Sequence, residues 1–322
     1  MLKDNEISMI KETIGKYKIP AKHKNYIFYS SKGWNDSDAR FIMYIYGGAF
    51  LKITVQQNKI SCNTFDKRYC KYFQSTERGE QIRKEFADAN RYKKGINVLE
   101  KWNMDVWNEV CEAFKKWAET SPQYERMRQT MISHLNGEQN NEFSIFDMEE
   151  NVLLPSGLNG ELDMAAVRFE KNGKPVISFI EYKCTEAALN PSNKSNLVKH
   201  YKDMMLYCDL DCYKKKFIDI YNQKQRFLKR ATSEADAADF RSEIVLLFSH
   251  ITWNNTSKTD CTKKVKASSL RRELDRLLND DVFDKTVALK ILIIENEKSI
   301  LSANNYMSID EAINYIDAKL KK

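Results

Sequence analysis

Asp163, Glu181 and Lys183 fall where charge is hard to explain by solvation alone. The stretch from Gly160 to Lys183 contains two apolar runs, Met164 to Phe169 and Val176 to Tyr182. Both are rich in β-branched and aromatic residues, and Asn172-Gly173 lies between them, which is the composition of a β-hairpin. The three charged residues sit at its open end. Charge there is costly unless paired or bound to metal. Two carboxylates at cross-strand distance repel, and a divalent cation between them removes the repulsion. Hard oxygen ligands with positions left for water and phosphate suit Mg²⁺ or Mn²⁺. A lysine on the same face would orient an attacking water or stabilise charge on a phosphate. The chemistry this combination serves is metal-assisted phosphodiester hydrolysis. The bland alternative is a salt-bridge cluster on a surface hairpin, nearly neutral for stability.

Whether the carboxylates meet depends on the turn, because strand side chains alternate faces. A two-residue loop at Asn172-Gly173 pairs Asp163 with Tyr182 and puts the carboxylates on opposite faces. A three-residue loop, Lys171-Asn172-Gly173, closes with Gly173 in a G1 bulge. It places Glu170 opposite Lys174, Ala165 opposite Phe179, Val167 opposite Ile177 and Asp163 opposite Glu181. The second register is preferred, because glycine at the third loop position is what that turn requires.

Asp163, followed after an apolar strand by Glu181-Tyr182-Lys183, resembles the D…(D/E)-x-K signature of the PD-(D/E)XK nuclease superfamily. The spacing is that of one hairpin, with a helix expected before it and another after. The resemblance covers roughly Ser121 to Ile294. It implies a restriction-endonuclease-like core, a mixed sheet flanked by helices in the order α, β-β-β, α, β. It also implies that Asp163 and Glu181 are metal ligands, with the Tyr182 backbone carbonyl a third. Lys183 would act on the attacking water or the transition-state charge. Members often carry an acidic residue on the helix before the sheet. Glu125 matches that role, and Glu149 and Glu150 are its rivals. On the helix after the hairpin, Lys194, Lys199 and His200 are the expected nucleic-acid contacts, with His200 standing where a glutamine is more usual. The implied partner is nucleic acid, DNA in preference to RNA. A homodimer is compatible with this, and restriction, phage defence and repair are not separated. A catalytically inactive nucleic-acid-binding module on the same fold is the alternative function, and a purely structural protein a third reading.

Composition bounds these readings. The 322 residues suffice for one large domain or two modest ones, and 42% hydrophobic residues mark a globular chain. A formal charge of +7 suits a polyanionic partner without demanding one. The seven cysteines are scattered, and the first residues lack an apolar signal region. They read as reduced thiols of a cytoplasmic protein. Cys62 and Cys70 lack a second pair at zinc-finger spacing. No apolar run reaches a membrane span.

The elements that must position the trio follow from periodicity. Residues 1–120 read as an α+β accessory domain: an amphipathic segment from Ile7 to Tyr17, a β-meander between Asn25 and Asn63, and helices over Glu77 to Ala89 and Asn97 to Thr120. The second helix carries an apolar stripe that includes Trp102, Val106, Val110, Phe114 and Trp117. The clusters Lys67-Arg68-Tyr69 and Arg91-Tyr92-Lys93-Lys94 interleave bases with aromatics, suiting either phosphate contact or a solvated loop. Residues 121–322 read as the nuclease-like α/β domain. Ser121-Pro122 caps a helix to Leu135, and a strand runs from Glu142 to Leu154. Beyond the hairpin come a helix from Asn193 to Cys208 and a basic helix from Tyr213 to Arg230. Strands Glu243 to Phe248 and Ala288 to Ile294 enclose a helix from Ser268 to Asn279. A capping box, Ser308 to Glu311, opens the last helix. Cys208 and Cys212, spaced i, i+4, are expected to be two buried thiols.

Overall fold

The computed structural model describes residues 2–32, 40–56, 59–64, 77, 79–82, 84, 99–120, 123–137, 141–153, 159–190, 192, 196–231, 239–253 and 263–321. The chain is a mixed α/β protein that divides into two compact units. The first is Met1–His134 with Ile218–Glu234, and the second is Leu135–Phe217 with Ala235–Lys322. The expected division at residue 120 differs from this. The helix Tyr124–Asn136 lies mostly in the first unit, and the helix Asp211–Phe227 returns the chain to it from Ile218 onward.

In the first unit, β1 (Ile27–Lys32), β2 (Arg40–Ile45), β3 (Gly48–Gln56) and β4 (Lys59–Thr64) form an antiparallel sheet in sequence order. Its core includes Phe41, Phe50, Trp107 and Phe114, with Phe50 edge-on to Trp107 at 5.8 Å and to Phe114 at 5.4 Å. The expected helix over Asn97 to Thr120 is interrupted. Asn103 caps a new helix, Met104–Ala118, by accepting from the Asp105 and Val106 amides. An asparagine side chain satisfying those orphan donors is a strong helix start. The basic clusters at 67–69 and 91–94 lie outside the described residues.

The second unit is built on a five-stranded mixed sheet, ordered β11 (Leu289–Ile293), β8 (Arg241–Phe248), β7 (Pro175–Lys183), β6 (Asn159–Phe169) and β5 (Phe143–Leu153). β5, β6 and β7 run antiparallel. β8 and β11 continue parallel to β7. A short parallel pair, β9 (Ile251–Thr252) and β10 (Val265–Lys266), leads into the helix Ala267–Leu278. Every residue of β7 after Pro175 is buried, as in a strand covered on both faces. Phe179 contacts Tyr207 at 5.6 Å and Phe217 at 5.1 Å, so the helices after the hairpin cover its face.

The β6–β7 turn adopts the three-residue form. Gly173 has φ +80°, its amide donates to the Glu170 carbonyl at 2.8 Å, and the Glu170 amide donates to the Lys174 carbonyl at 2.9 Å. Ala165 faces Phe179 and Val167 faces Ile177, as that turn requires.

One helical expectation is corrected. Leu210 has extended backbone and ends the helix Leu197–Asp209, so Cys208 and Cys212 sit on different helices. Cys212 is therefore exposed, while Cys208 is half-buried with its thiol pushed up to about 12 by burial. On the basic helix, Lys224 is buried over the Phe28 ring at 4.3 Å and donates to the Tyr29 carbonyl, and Arg226 pairs with Asp4 at 2.7 Å. Those two cations serve the first unit's own packing.

Candidate active site

The hairpin register continues past Met164–Ile180 to set Asp163 level with Glu181. The side chains meet on one face. Lys183 Nζ lies 2.5 Å from Glu181 Oε1 and 3.7 Å from Asp163 Oδ2. The Tyr182 amide donates to Asp163 Oδ2 at 2.8 Å. β7 thus grips the β6 carboxylate from two consecutive residues. The Glu181 side chain is fully buried, Lys183 is 7% exposed and Asp163 is 16% exposed, so Asp163 is the member nearest to solvent.

His200 is placed differently from its expectation as a nucleic-acid contact. Its ring is buried, with Nδ1 3.3 Å from Glu181 Oε2. It faces the carboxylate because it belongs to the inward stripe Leu197, His200, Tyr201, Met204 and Tyr207 of its helix. That stripe, rather than the charge of the helix, was the signal for its orientation. Lys199 points the other way and pairs with Asp203 at 3.1 Å. Lys194 lies outside the described residues.

Of the acidic candidates, Glu125 lies on the helix Tyr124–Asn136 in the first unit, whereas Asp163, Glu181, Lys183 and His200 are all in the second. Glu149 is on β5, between the pairs Met148–Met164 and Glu150–Leu162. It is therefore level with Asp163, and it holds φ at +54°.

The donor set has a definite chemistry. Two carboxylates converge on one ammonium, which sits where a cation would sit. Among the described residues no three His, Cys, Asp or Glu side chains form a group able to hold a metal ion. Zinc, which wants four protein ligands or three and a water, does not fit. Mg²⁺ and Mn²⁺ do fit, because such ions are held by one or two carboxylates with water and substrate phosphate completing the shell.

A second buried charge cluster was not foreseen. Glu243 on β8 accepts from Arg168 Nε at 2.8 Å, Arg168 Nη2 at 2.6 Å, Ser178 Oγ at 2.6 Å and the Tyr306 hydroxyl at 2.7 Å. The hydrogen bond to Glu243 holds the Arg168 guanidinium above its usual pKa. Burial first, then the Glu243 charge, raises that of Tyr306.

No protein-family model, no curated protein and no solved structure matches this chain. Among the described residues, no helix is long and apolar enough to cross a membrane.

Proposed function

We propose that the chain is a metal-dependent nuclease that hydrolyses phosphodiester bonds, DNA in preference to RNA, on a PD-(D/E)XK-like core. One observation carries the reading: a single ammonium, Lys183, is shared by Glu181 at 2.5 Å and Asp163 at 3.7 Å at the end of a central strand. The three antiparallel strands followed by two parallel ones are consistent with the core that the D…ExK resemblance implies.

Asp163, Glu181 and the Tyr182 carbonyl would hold Mg²⁺ or Mn²⁺. The ion when bound supplies Lewis-acid charge and a more acidic water. Glu181, buried and flanked by His200 and Lys183, is the fixed ligand, and Asp163 is the one that meets solvent and substrate. Lys183, on the same face as both carboxylates, would stabilise the attacking water or the negative charge developing on the phosphate, where a preorganised donor is most effective.

The second reading is a catalytically silent nucleic-acid-binding module. The short Glu181–Lys183 pair favours it, since an ammonium already neutralises that carboxylate. Cleavage of plasmid and single-stranded DNA in Mg²⁺ or Mn²⁺, with EDTA as control, separates the two. EDTA-sensitive cutting supports the nuclease. Binding at low salt without cutting supports the module, and the absence of both supports a structural salt bridge.

A further inference from the structure

The strand that carries the proposed site is anchored from its other face. Tyr182 lies between Glu181 and Lys183, so its side chain points away from them. It is fully buried. Its hydroxyl meets Ser249 Oγ at 2.6 Å, Ser249 Oγ meets His250 Nδ1 at 2.8 Å, and His250 Nε2 lies 2.9 Å from Glu297 Oε2. One direction satisfies both hydrogen bonds of the relay: Tyr182 O–H donates to Ser249, and Ser249 O–H donates to His250 Nδ1, while the Glu297 carboxylate lies beside the far side of the ring. Bonds aligned in this way polarise and strengthen one another.

The backbone joins the same chain. The Ser249 amide donates to the Lys183 carbonyl at 3.3 Å, the His250 amide to the Glu295 carbonyl at 3.2 Å, and the Val265 amide to the His250 carbonyl at 3.2 Å. His250 holds φ at +58°, an unfavourable conformation for a residue with a Cβ. A residue kept there by backbone bonds to two other segments is held by its surroundings rather than by its own preference.

Two other roles fail on geometry. Ser249, His250 and Glu297 resemble a nucleophile, base and acid, but Ser249 is completely buried and no substrate reaches its hydroxyl. The Tyr182 hydroxyl is on the face away from the carboxylates, so it gives no proton to a reaction there.

We propose that Ser249 and His250 are positioning residues of the site. They lock the Tyr182 side chain, and through it they hold Glu181 and Lys183 to their own face. The inference rests on the nuclease reading above. Partners of this kind behind ligands cost about tenfold to a hundredfold in metal affinity or activity when removed.

The test uses the full chain with Tyr182→Phe, Ser249→Ala, the double variant and Ser249→Thr. Two quantities are measured: steady-state DNA cleavage in Mn²⁺, and Mn²⁺ affinity without DNA by calorimetry. Each single variant should lower kcat by about tenfold with KM for DNA unchanged, and should weaken Mn²⁺ binding by a similar factor. The double variant should be no worse than the poorer single, because both break one chain, and Ser249→Thr should recover most of the loss. A lower melting temperature with parental kcat and Mn²⁺ affinity would overturn the inference and leave only a structural hydrogen bond. Additive losses in the double variant would overturn it as well. If Ser249→Ala does not fold, Tyr182→Phe decides, since it removes a single oxygen. A parent chain that neither cuts DNA nor binds Mn²⁺ would overturn the nuclease reading itself. An active parent with inert variants would sink only the anchoring role.

Discussion

The sheet of the second unit buries charge twice, and it treats the two places differently. At Glu243 one carboxylate meets one guanidinium in two parallel hydrogen bonds, and Ser178 and Tyr306 donate to the same oxygen as Arg168 Nε. Charge is balanced and every contact is 2.6–2.8 Å long. At the end of β6 and β7, two carboxylates share one ammonium, and the contacts spread from 2.5 to 3.7 Å. His200 adds positive charge there only when protonated. A buried ion pair persists in a fold when geometry and added hydrogen bonds repay desolvation. The Glu243 cluster meets that condition completely. In the Asp163–Glu181 cluster, two carboxylates meet one lysine ammonium through uneven contacts, and Asp163 is partly open to solvent. The first cluster fits a structural role, and the second is the one on which the proposed nuclease reading depends.

The sharpest way to break this contrast is to neutralise the carboxylates of the second cluster. Asp163→Asn and Glu181→Gln should each abolish metal-dependent cleavage and weaken Mg²⁺ binding, while stability in metal-free buffer stays level or rises. Relief of like-charge repulsion is the reason for the rise. Lys183→Ala should retain Mg²⁺ binding yet lose cleavage by on the order of 10²-fold, the scale of removing one preorganised charge-stabilising group. Calorimetry beside a cleavage assay reads both. If Lys183→Ala cuts at the parental rate and Asp163→Asn binds metal normally, the hairpin is not the active site.

Glu243→Gln should do the reverse. It leaves Arg168 buried without its counter-charge, and such a loss costs about 3–5 kcal/mol. Urea unfolding should show that loss, while activity per folded molecule in Mn²⁺ stays parental. A variant as stable as the parent would mean that the saturated cluster is not what secures the sheet.

Glu149 supplies a smaller test of backbone strain at the end of the sheet that carries Asp163. It is level with Asp163 and holds φ at +54°. Glu149→Gly removes the left-handed cost, about 1–2 kcal/mol for a residue with a Cβ. The added freedom of an unfolded glycine offsets about half of this. Metal-free stability should rise by up to about 1 kcal/mol in the same urea assay. A fall would show that the Glu149 carboxylate is already stabilising that end.

Much of the hairpin end that carries Asp163 and Glu181 was legible because it is local. Gly173 at the third loop position determined the turn, and the turn determined which residues of β6 and β7 share a face. The capping box at Ser308 and Glu311 opens the last helix for the same reason: both partners lie within one turn. What could not be read depended on pairings distant in sequence. Arg168 meets Glu243 across 75 residues, and Tyr182 meets Ser249 across 67, so neither strand's alternation reveals the contact. The return of residues 218–234 to the first unit was hidden because the helix Asp211–Phe227 passes without a break from one unit to the other. Asn103 was legible in principle. An asparagine two residues before an aspartate marks a helix start, and the apolar stripe across it masked the signal.

The smallest expected effect concerns a histidine of the saturated kind in the first unit. His23 is buried, with Nδ1 2.8 Å from the Tyr46 hydroxyl and Nε2 3.1 Å from Asn108 Oδ1. Its pKa is lowered, chiefly by burial, although Asn108 and Glu112 pull the other way. The folded chain therefore binds this proton less readily than the unfolded chain, whose histidine titrates near about 6.5. Above that pH both states carry a neutral ring and no penalty exists. As pH falls from about 6.5 toward the folded pKa, the unfolded state takes up the proton first and stability is lost. Below the folded pKa the loss levels off. His23→Gln keeps a donor and an acceptor without a titratable ring, so it should flatten this part of the profile. Urea midpoints of parent and variant from pH 8 to pH 5 provide the measurement. The two curves should run parallel above pH 7 and separate below it, with the parent falling faster. The other three histidines of the chain are present in both proteins and cancel in the difference. Curves that stay parallel to pH 5 would show that His23 charges within the fold at no cost, and would remove it from the class of groups whose charge state the packing fixes.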